Sequence, residues 1–209
     1  MLRVKICGLT TPQDAAAAIE FGADAVGFNF FPGSKRYVRM KIVGEWIGAL
    51  PGNVEKVAIL VNPSWDEANA AAATPGITAL QLHGVETPDF CRRLMEERIQ
   101  FEKALPVMGA DSVVNVPDFF TTTVLLDSGG PGEFGGSGRT FPWEIARDFV
   151  RFNPHLRVIL AGGLTPENVA EAVAAVRPFG VDVTSGIESS PGRKNHGRMR
   201  DFIAAARAS

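Results

Sequence analysis

Short runs of apolar, largely β-branched residues alternate along the chain with longer, Ala-rich segments. Eight runs read as strands: Leu2–Ile6, Ala25–Phe28, Val54–Leu60, Ile77–Leu82, Phe101–Leu105, Thr123–Leu126, Arg157–Leu160 and Val181–Val183. Most are apolar at nearly every position, which is how strands covered on both faces read. Between them the pattern predicts helices over Pro12–Phe21, Met40–Leu50, Trp65–Ala73, Pro88–Glu97, Pro142–Phe152, Pro166–Val176 and Gly197–Ala208. The segment Gly109–Phe120 fills the helix slot after the fifth strand, although its composition suits a helix poorly.

Helix starts repeat one chemistry. Thr11-Pro12, Thr87-Pro88 and Thr165-Pro166 each put a hydroxyl at the N-cap and a proline at the first helical position. The hydroxyl accepts an orphan backbone N–H, and the proline has no N–H to leave unpaired. Ser64 and Glu67 have the spacing of a capping box. The three Thr-Pro pairs are 76 and 78 residues apart, and each interval divides into three units of roughly 25–26 residues, close to a minimal βαβ module. A second ruler agrees: Gly22, Gly76 and Gly180 lead into strands at spacings of two and four such units. Eight β/α units in one chain predict an α/β protein, a (β/α)8 (TIM) barrel forming one domain over residues 1–209. A doubly wound open sheet is the structural alternative, because alternation alone does not establish closure.

Composition narrows the partners. The 209 residues are 45% hydrophobic and 21% charged, with a formal net charge of −2. So even a balance argues against nucleic acid or an anionic membrane surface as principal partner, since both select for basic excess. Cys7 and Cys91 are far apart and lack metal-ligand spacing, so neither a disulfide framework nor a structural zinc is expected. No basic segment and apolar core open the chain and no stretch of about 18 apolar residues occurs, so the expectation is a cytoplasmic protein without signal peptide or membrane span. Its expected partner is a small molecule. The pattern predicts no particular oligomeric state.

In such barrels the loops after the strand C-termini build the active site. That rule selects Cys7-Gly8-Leu9-Thr10, Asn29–Arg36, His83-Gly84, Asp127–Gly130, Ala161-Gly162-Gly163 and Thr184–Glu188. Gly162-Gly163 and Ser185-Gly186 follow strands seven and eight, where these barrels commonly bind phosphate, although glycines also serve simply to make tight turns. Cys7 shares the period-two face of Lys5. A cysteine is more often a small buried hydrophobe than a catalyst, but at a strand end it can serve as a base where positive charge favours thiolate. Asp127 ends strand six, either capping the following turn or acting as general acid or base. Arg36, in Ser34-Lys35-Arg36-Tyr37-Val38, suits a carboxylate clamp as well as it suits a solvated loop. His83 reads as structural, since no serine or cysteine partner is visible. His155 and His196 lie in polar stretches, so the three histidines make no metal site. A thiol and a carboxyl on separate strands suit proton shuttling without a cofactor.

Two motif matches are set aside. Gly130-Pro131-Gly132-Glu133-Phe134-Gly135 fits a dinucleotide fingerprint, but further glycines rather than a helix follow it. Gly138-Arg139-Thr140 resembles the end of a P-loop, yet arginine replaces lysine and the leading glycine position is Glu133. This stretch reads instead as a lid or positioning loop beside Asp127.

The motifs Lys5-Ile-Cys7-Gly-Leu-Thr10, Gly22-Ala-Asp-Ala-Val-Gly-Phe28, Ser34-Lys-Arg36-Tyr-Val38, Gln81-Leu-His83-Gly84, Leu126-Asp127, Gly138-Arg-Thr-Phe141, Ala161-Gly-Gly-Leu164 and Gly180-Val-Asp-Val-Thr-Ser-Gly-Ile-Glu188 stand together in one order. In that order the chain resembles the phosphoribosylanthranilate isomerase family of tryptophan biosynthesis over almost its full length. The resemblance implies a cofactor-free Amadori rearrangement of N-(5-phosphoribosyl)anthranilate to 1-(2-carboxyphenylamino)-1-deoxyribulose 5-phosphate. It implies Asp127 as general acid on the furanose ring oxygen and Cys7 as general base at ribose carbon 2. By the same resemblance Arg36 holds the anthranilate carboxylate, Gly162, Gly163, Ser185 and Gly186 hold the phosphate, and Asp182 faces the ribose. The family usually carries Thr-Gly-Lys-Thr-Phe-Asp-Trp where this chain has Ser137-Gly-Arg139-Thr-Phe-Pro142-Trp143, which keeps a positive charge but removes an acid at a helix start. The alternatives are a related sugar-phosphate isomerase of histidine biosynthesis, or a dual-substrate barrel, and a barrel that binds phosphate without turnover. The first two use paired aspartates ending strands one and five, against which Cys7 speaks. Intact Cys7, Asp127 and Arg36 speak against the last.

Overall fold

Parallel strands that are apolar on both faces need cover on both sides, and a closed barrel ringed by helices supplies it. In a computed structural model, which describes residues 1–114, 116–129 and 140–208, eight strands do close: β1 (Arg3–Ile6), β2 (Ala25–Asn29), β3 (Glu55–Leu60), β4 (Ala79–Leu82), β5 (Phe101–Pro106), β6 (Thr123–Asp127), β7 (Arg157–Leu160) and β8 (Gly180–Val183). Every neighbouring pair is parallel, and β1 completes the circle by pairing Val4 with Val181 and Lys5 with Asp182 on β8. The open-sheet alternative is thereby excluded. Among the described residues no helix is long and apolar enough to cross a membrane.

Helices α1 (Pro12–Glu20), α2 (Met40–Ile47), α3 (Trp65–Ala72), α4 (Pro88–Glu96), α5 (Trp143–Phe152), α6 (Val169–Val176) and α7 (His196–Arg207) surround the barrel. The outward-facing strand residues Val4, Ile6, Val26, Phe28, Leu80, Leu82, Leu126, Leu160 and Val181 form the main core with buried helix residues such as Ala18, Ile47, Leu94 and Phe202. The inward-facing set is smaller and more polar. It includes Lys5 and Cys7, Val57 and Ile59, Gln81, Ala104, Leu125 and Asp127, Ile159 and Ala161, and Asp182. Such strands read as continuous apolar runs because both of these faces are buried.

The expected caps of α1, α3 and α4 are present. Thr11 accepts from Asp14 N, Thr87 accepts from Phe90 N, and Ser64 with Glu67 closes a reciprocal capping box. Three expectations are corrected. Among the described residues between β5 and β6 there is no α-helix but one 3₁₀ turn, Ala110–Val113, as the poor propensity of that segment suggested. Helix α6 begins at Val169, not Pro166: the Thr165 hydroxyl accepts from Glu167 N while Asn168 Oδ1 accepts from Thr165 N, so the asparagine turns the chain first. Helix α2 stops at Ile47, because the Gly48-Ala-Leu-Pro51 stretch cannot extend it. Pro142 stands at the N-cap of α5 without a side-chain cap, consistent with the missing acid there. The fingerprint Gly130–Gly135 and Arg139 lie outside the described residues. Beyond β8 a second 3₁₀ turn (Ser185–Ile187) leads into a small antiparallel pair, β9 (Glu188–Ser190) and β10 (Arg193–Lys194).

Candidate active site

The strand C-termini surround a cavity of about 610 Å³ of space open to solvent. Cys7, Asp127, Arg36, Asp182, Gly162, Gly163 and Ser185 all line it. Gly186 does not. Its role is close approach: a Cβ there would lie 1.9 Å from the Leu164 carbonyl oxygen, so Gly186 lets the loops after β7 and β8 touch. Gly162 and Gly163 are both left-handed, with φ of +84° and +64°, and a Cβ on Gly162 would strike Ser128.

Cys7 is 7% exposed, and its backbone N–H donates to the Val183 carbonyl, which extends the β1–β8 ladder to the cavity floor. Gly27 on β2 makes room for the thiol, since a Cβ at that position would lie 2.8 Å from Cys7 Sγ. Burial raises the thiol above its ordinary value, and Asp182 adds to the rise. The Lys5 and Lys194 ammoniums and the Thr184 hydroxyl oppose it without cancelling it.

Asp127 ends β6 at 5% exposure. Its Oδ1 accepts from Ser128 N at 2.8 Å, and its Oδ2 stands 3.2 Å from His83 Nε2. His83, which reads as structural for want of a serine or cysteine partner, has neighbours of another kind: Gln81 two positions before it and a carboxylate 44 positions away. Lys5, fully buried in the barrel interior, donates to Asp182 Oδ1 at 2.9 Å and to Gln81 Oε1. Burial pulls the Lys5 ammonium down, but the Asp182, Cys7 and Glu102 charges outweigh it and the net direction is up.

Arg36 is not a solvated loop charge. Its Nε and Nη2 form a two-pronged pair with Glu188, at 2.9 and 2.7 Å. Glu188 Oε1 also accepts from Lys194 Nζ at 3.2 Å. Gly8, at φ +70°, lets the Arg36 side chain pass, because a Cβ there would lie 2.8 Å from Arg36 Cδ. The sequence reading quoted Glu188 without giving it a task and passed over Lys194.

Fold and site together define a (β/α)8 barrel with a carboxyl, a thiol, a carboxylate-matching guanidinium and two glycine-rich loops converging at the strand C-termini. Residues 4–205 match the family model for N-(5'-phosphoribosyl)anthranilate (PRA) isomerase. The chain belongs to that family. A relative from Trichlorobacter lovleyi, N-(5'-phosphoribosyl)anthranilate isomerase, is 44% identical over 207 residues, covering 99% of this chain and 98% of its own. The crystal structure of phosphoribosyl anthranilate isomerase from Thermotoga maritima superposes with a TM-score of 0.91 at 40% identity, with both chains fully covered. A crystal structure of a phosphoribosyl anthranilate isomerase in complex with reduced 1-(o-carboxyphenylamino)-1-deoxyribulose 5-phosphate gives 0.87 at 37% identity, again over both full chains.

Proposed function

We propose that this chain isomerises N-(5'-phosphoribosyl)anthranilate to 1-(2-carboxyphenylamino)-1-deoxyribulose 5-phosphate, the reaction of its family in tryptophan biosynthesis. The observation that carries the residue assignment is that Cys7, directly after β1, and Asp127, the last residue of β6, line one cavity. They are separated by two strands one way around the barrel and four the other. A substrate between them meets an acid and a base at different atoms.

Asp127 gives its proton to the furanose ring oxygen, and the C1–O bond breaks to leave a Schiff base. Cys7, as thiolate, takes the proton from ribose carbon 2, and the resulting enolamine tautomerises to the ketone. The product is an isomer of the substrate, so no oxidant, reductant or cofactor enters the balance. Lys5 and Lys194 are the charges that favour the thiolate. Arg36 receives the anthranilate carboxylate, held in orientation by Glu188. Gly162, Gly163 and Ser185 receive the phosphate, with Gly186 fixing the distance between their loops, and Asp182 faces the ribose beside Lys5.

The test is loss of anthranilate fluorescence from substrate generated in situ, with Cys7→Ala alongside. Rapid loss with wild type and none with the variant supports both the reaction and the base. No loss with wild type overturns the proposal. Equal loss with both removes Cys7 from its role.

A further inference from the structure

Gln81 on β4 and His83 just beyond it are two residues apart and both line the cavity, yet the steps above use neither. Gln81 Nε2 stands 2.8 Å from His83 Nδ1, and His83 Nε2 stands 3.2 Å from Asp127 Oδ2. Behind Gln81 lies the Lys5 ammonium, with Asp182 Oδ1 at 2.9 Å and Glu102 Oε1 at 3.4 Å on its other sides.

The direction of each contact follows from what these groups can give and take. An ammonium only donates, so the amide oxygen of Gln81 faces Lys5 and its NH2 faces His83. An NH2 does not accept, so Nδ1 of His83 presents its lone pair. An imidazole with a bare Nδ1 carries its hydrogen on Nε2, the nitrogen that faces Asp127. The buried ammonium thus dictates, through one amide, the tautomer of a ring about one barrel layer above it.

We propose that His83 is a positioning residue for Asp127: the Lys5–Gln81 pair holds it as the Nε2–H tautomer, and it donates to Oδ2 as that carboxyl releases its proton. This inference rests on Asp127 being the acid of the proposed reaction. A hydrogen bond to a carboxylate is roughly twice as strong as one to a neutral group. The 3.2 Å contact therefore tightens into such a bond as the proton leaves, which accelerates a step instead of merely holding substrate. The Ser128 N–H on Oδ1 fixes the other oxygen and leaves Oδ2 facing the ring.

Two measurements test it. Long-range nitrogen–proton NMR of the wild-type protein reads the tautomer directly, and with three histidines in the chain the His83→Gln variant assigns the signal. The expected spectrum shows His83 protonated at Nε2 and bare at Nδ1. In Gln81→Glu a carboxylate replaces the NH2, and the hydrogen is expected on Nδ1. Kinetically, His83→Leu is expected to lower kcat by about 10- to 100-fold with KM within about twofold, the loss of one hydrogen bond to a charged group. His83→Gln, which keeps a donor and an acceptor on one planar group, is expected to recover most of that loss. A wild-type ring protonated at Nδ1 overturns the inference whatever the kinetics. So does a His83→Leu enzyme at the wild-type rate, which leaves the proposed reaction standing. A wild type that isomerises nothing removes the acid step and the role of His83 with it.

Discussion

Glu188→Gln is the substitution whose cost the geometry defines best. Glu188 Oε1 accepts from Arg36 Nε at 2.9 Å, Lys194 Nζ at 3.2 Å and Gly192 N at 3.2 Å, while Oε2 accepts from Arg36 Nη2 at 2.7 Å. Every neighbour of both oxygens is a donor. A glutamine amide must therefore point its NH2 at one of them, and two cations lose their shared anion. The side chains of Glu188, Arg36 and Lys194 are 4%, 10% and 0% exposed, so water compensates little. Removing one partner of a buried pair costs about 3–5 kcal/mol. We expect about 3 kcal/mol here, because Arg36 borders the open cavity and Lys194, already pulled down by burial, can shed its proton. For a chain of this length that lowers Tm by roughly 6–12 °C.

The pH dependence is a second signature. Burial pushes the Glu188 carboxyl up, but the Arg36 hydrogen bond and the Lys194 charge hold it below the ordinary range. A carboxyl depressed in the folded state contributes fully above its unfolded value of about 4.3 and loses that contribution as pH falls through the folded value. Urea or thermal unfolding of wild type and variant should therefore differ by a constant amount from pH 7 to about 5 and converge below about 4. KM should rise about tenfold at unchanged kcat, since the guanidinium loses its orientation and not its charge. A Tm within about 2 °C of wild type would refute the reasoning, as would a difference that persists undiminished at pH 3.

Asp127→Ala should lose roughly 10²- to 10⁴-fold in turnover, the usual weight of a general acid, while product-analogue binding by calorimetry stays near wild type; a retained rate removes Asp127 from the mechanism. Because burial holds the Cys7 thiol up, kcat/KM should climb with pH above neutrality, and iodoacetamide should label Cys7 faster at pH 9 than at pH 7. A flat profile and equal labelling would mean the thiolate already dominates. Gly186→Ala places a methyl group 1.9 Å from the Leu164 oxygen, so the loops after β7 and β8, proposed above to hold the phosphate, must separate. Inorganic phosphate should then inhibit about tenfold more weakly, and unchanged inhibition would show that the loop spacing is not what binds the anion.

The eight barrel strands were legible in the sequence because burial on both faces writes most of them as nearly unbroken apolar runs, whereas the short polar pair β9 and β10 left no such mark. Helix starts were legible where a hydroxyl caps its own neighbour, as at Thr11 and Thr87, and misplaced at Thr165, where Asn168 reaches back from inside the turn. Closure itself was an inference from counting, and everything depending on closure was harder to see. Arg36 and Glu188 are 152 residues apart, and Lys5 and Asp182 are 177 apart, yet each pair is in direct contact. A signal did exist for the second pair. A lysine in the middle of a buried strand demands an anion, and Asp182 interrupts the apolar run of the strand that a closed barrel sets beside it. The His83–Asp127 approach carried no such mark, since a histidine after a strand is ordinary and its partner is two strands away.

The pairing of β1 with β8 also sets a clock. On the ribosome, strand β1 gains its β2 neighbour early, but its other edge waits for Gly180–Val183, about 177 residues later. At a synthesis rate of about 5–20 residues per second, that edge stays without its native partner for roughly 9–35 s. An unpaired apolar strand edge is a template for pairing with other chains, and this one stays open for nearly the whole synthesis of the barrel. Lys5, the one charge in the middle of that strand, has Asp182 as its partner in the finished barrel. Before β8 arrives the same lysine lacks that carboxylate and stands as a charge on a strand edge, of the kind that discourages a second chain from docking there. The residue that orders the interior of the finished barrel thus also guards the unfinished one.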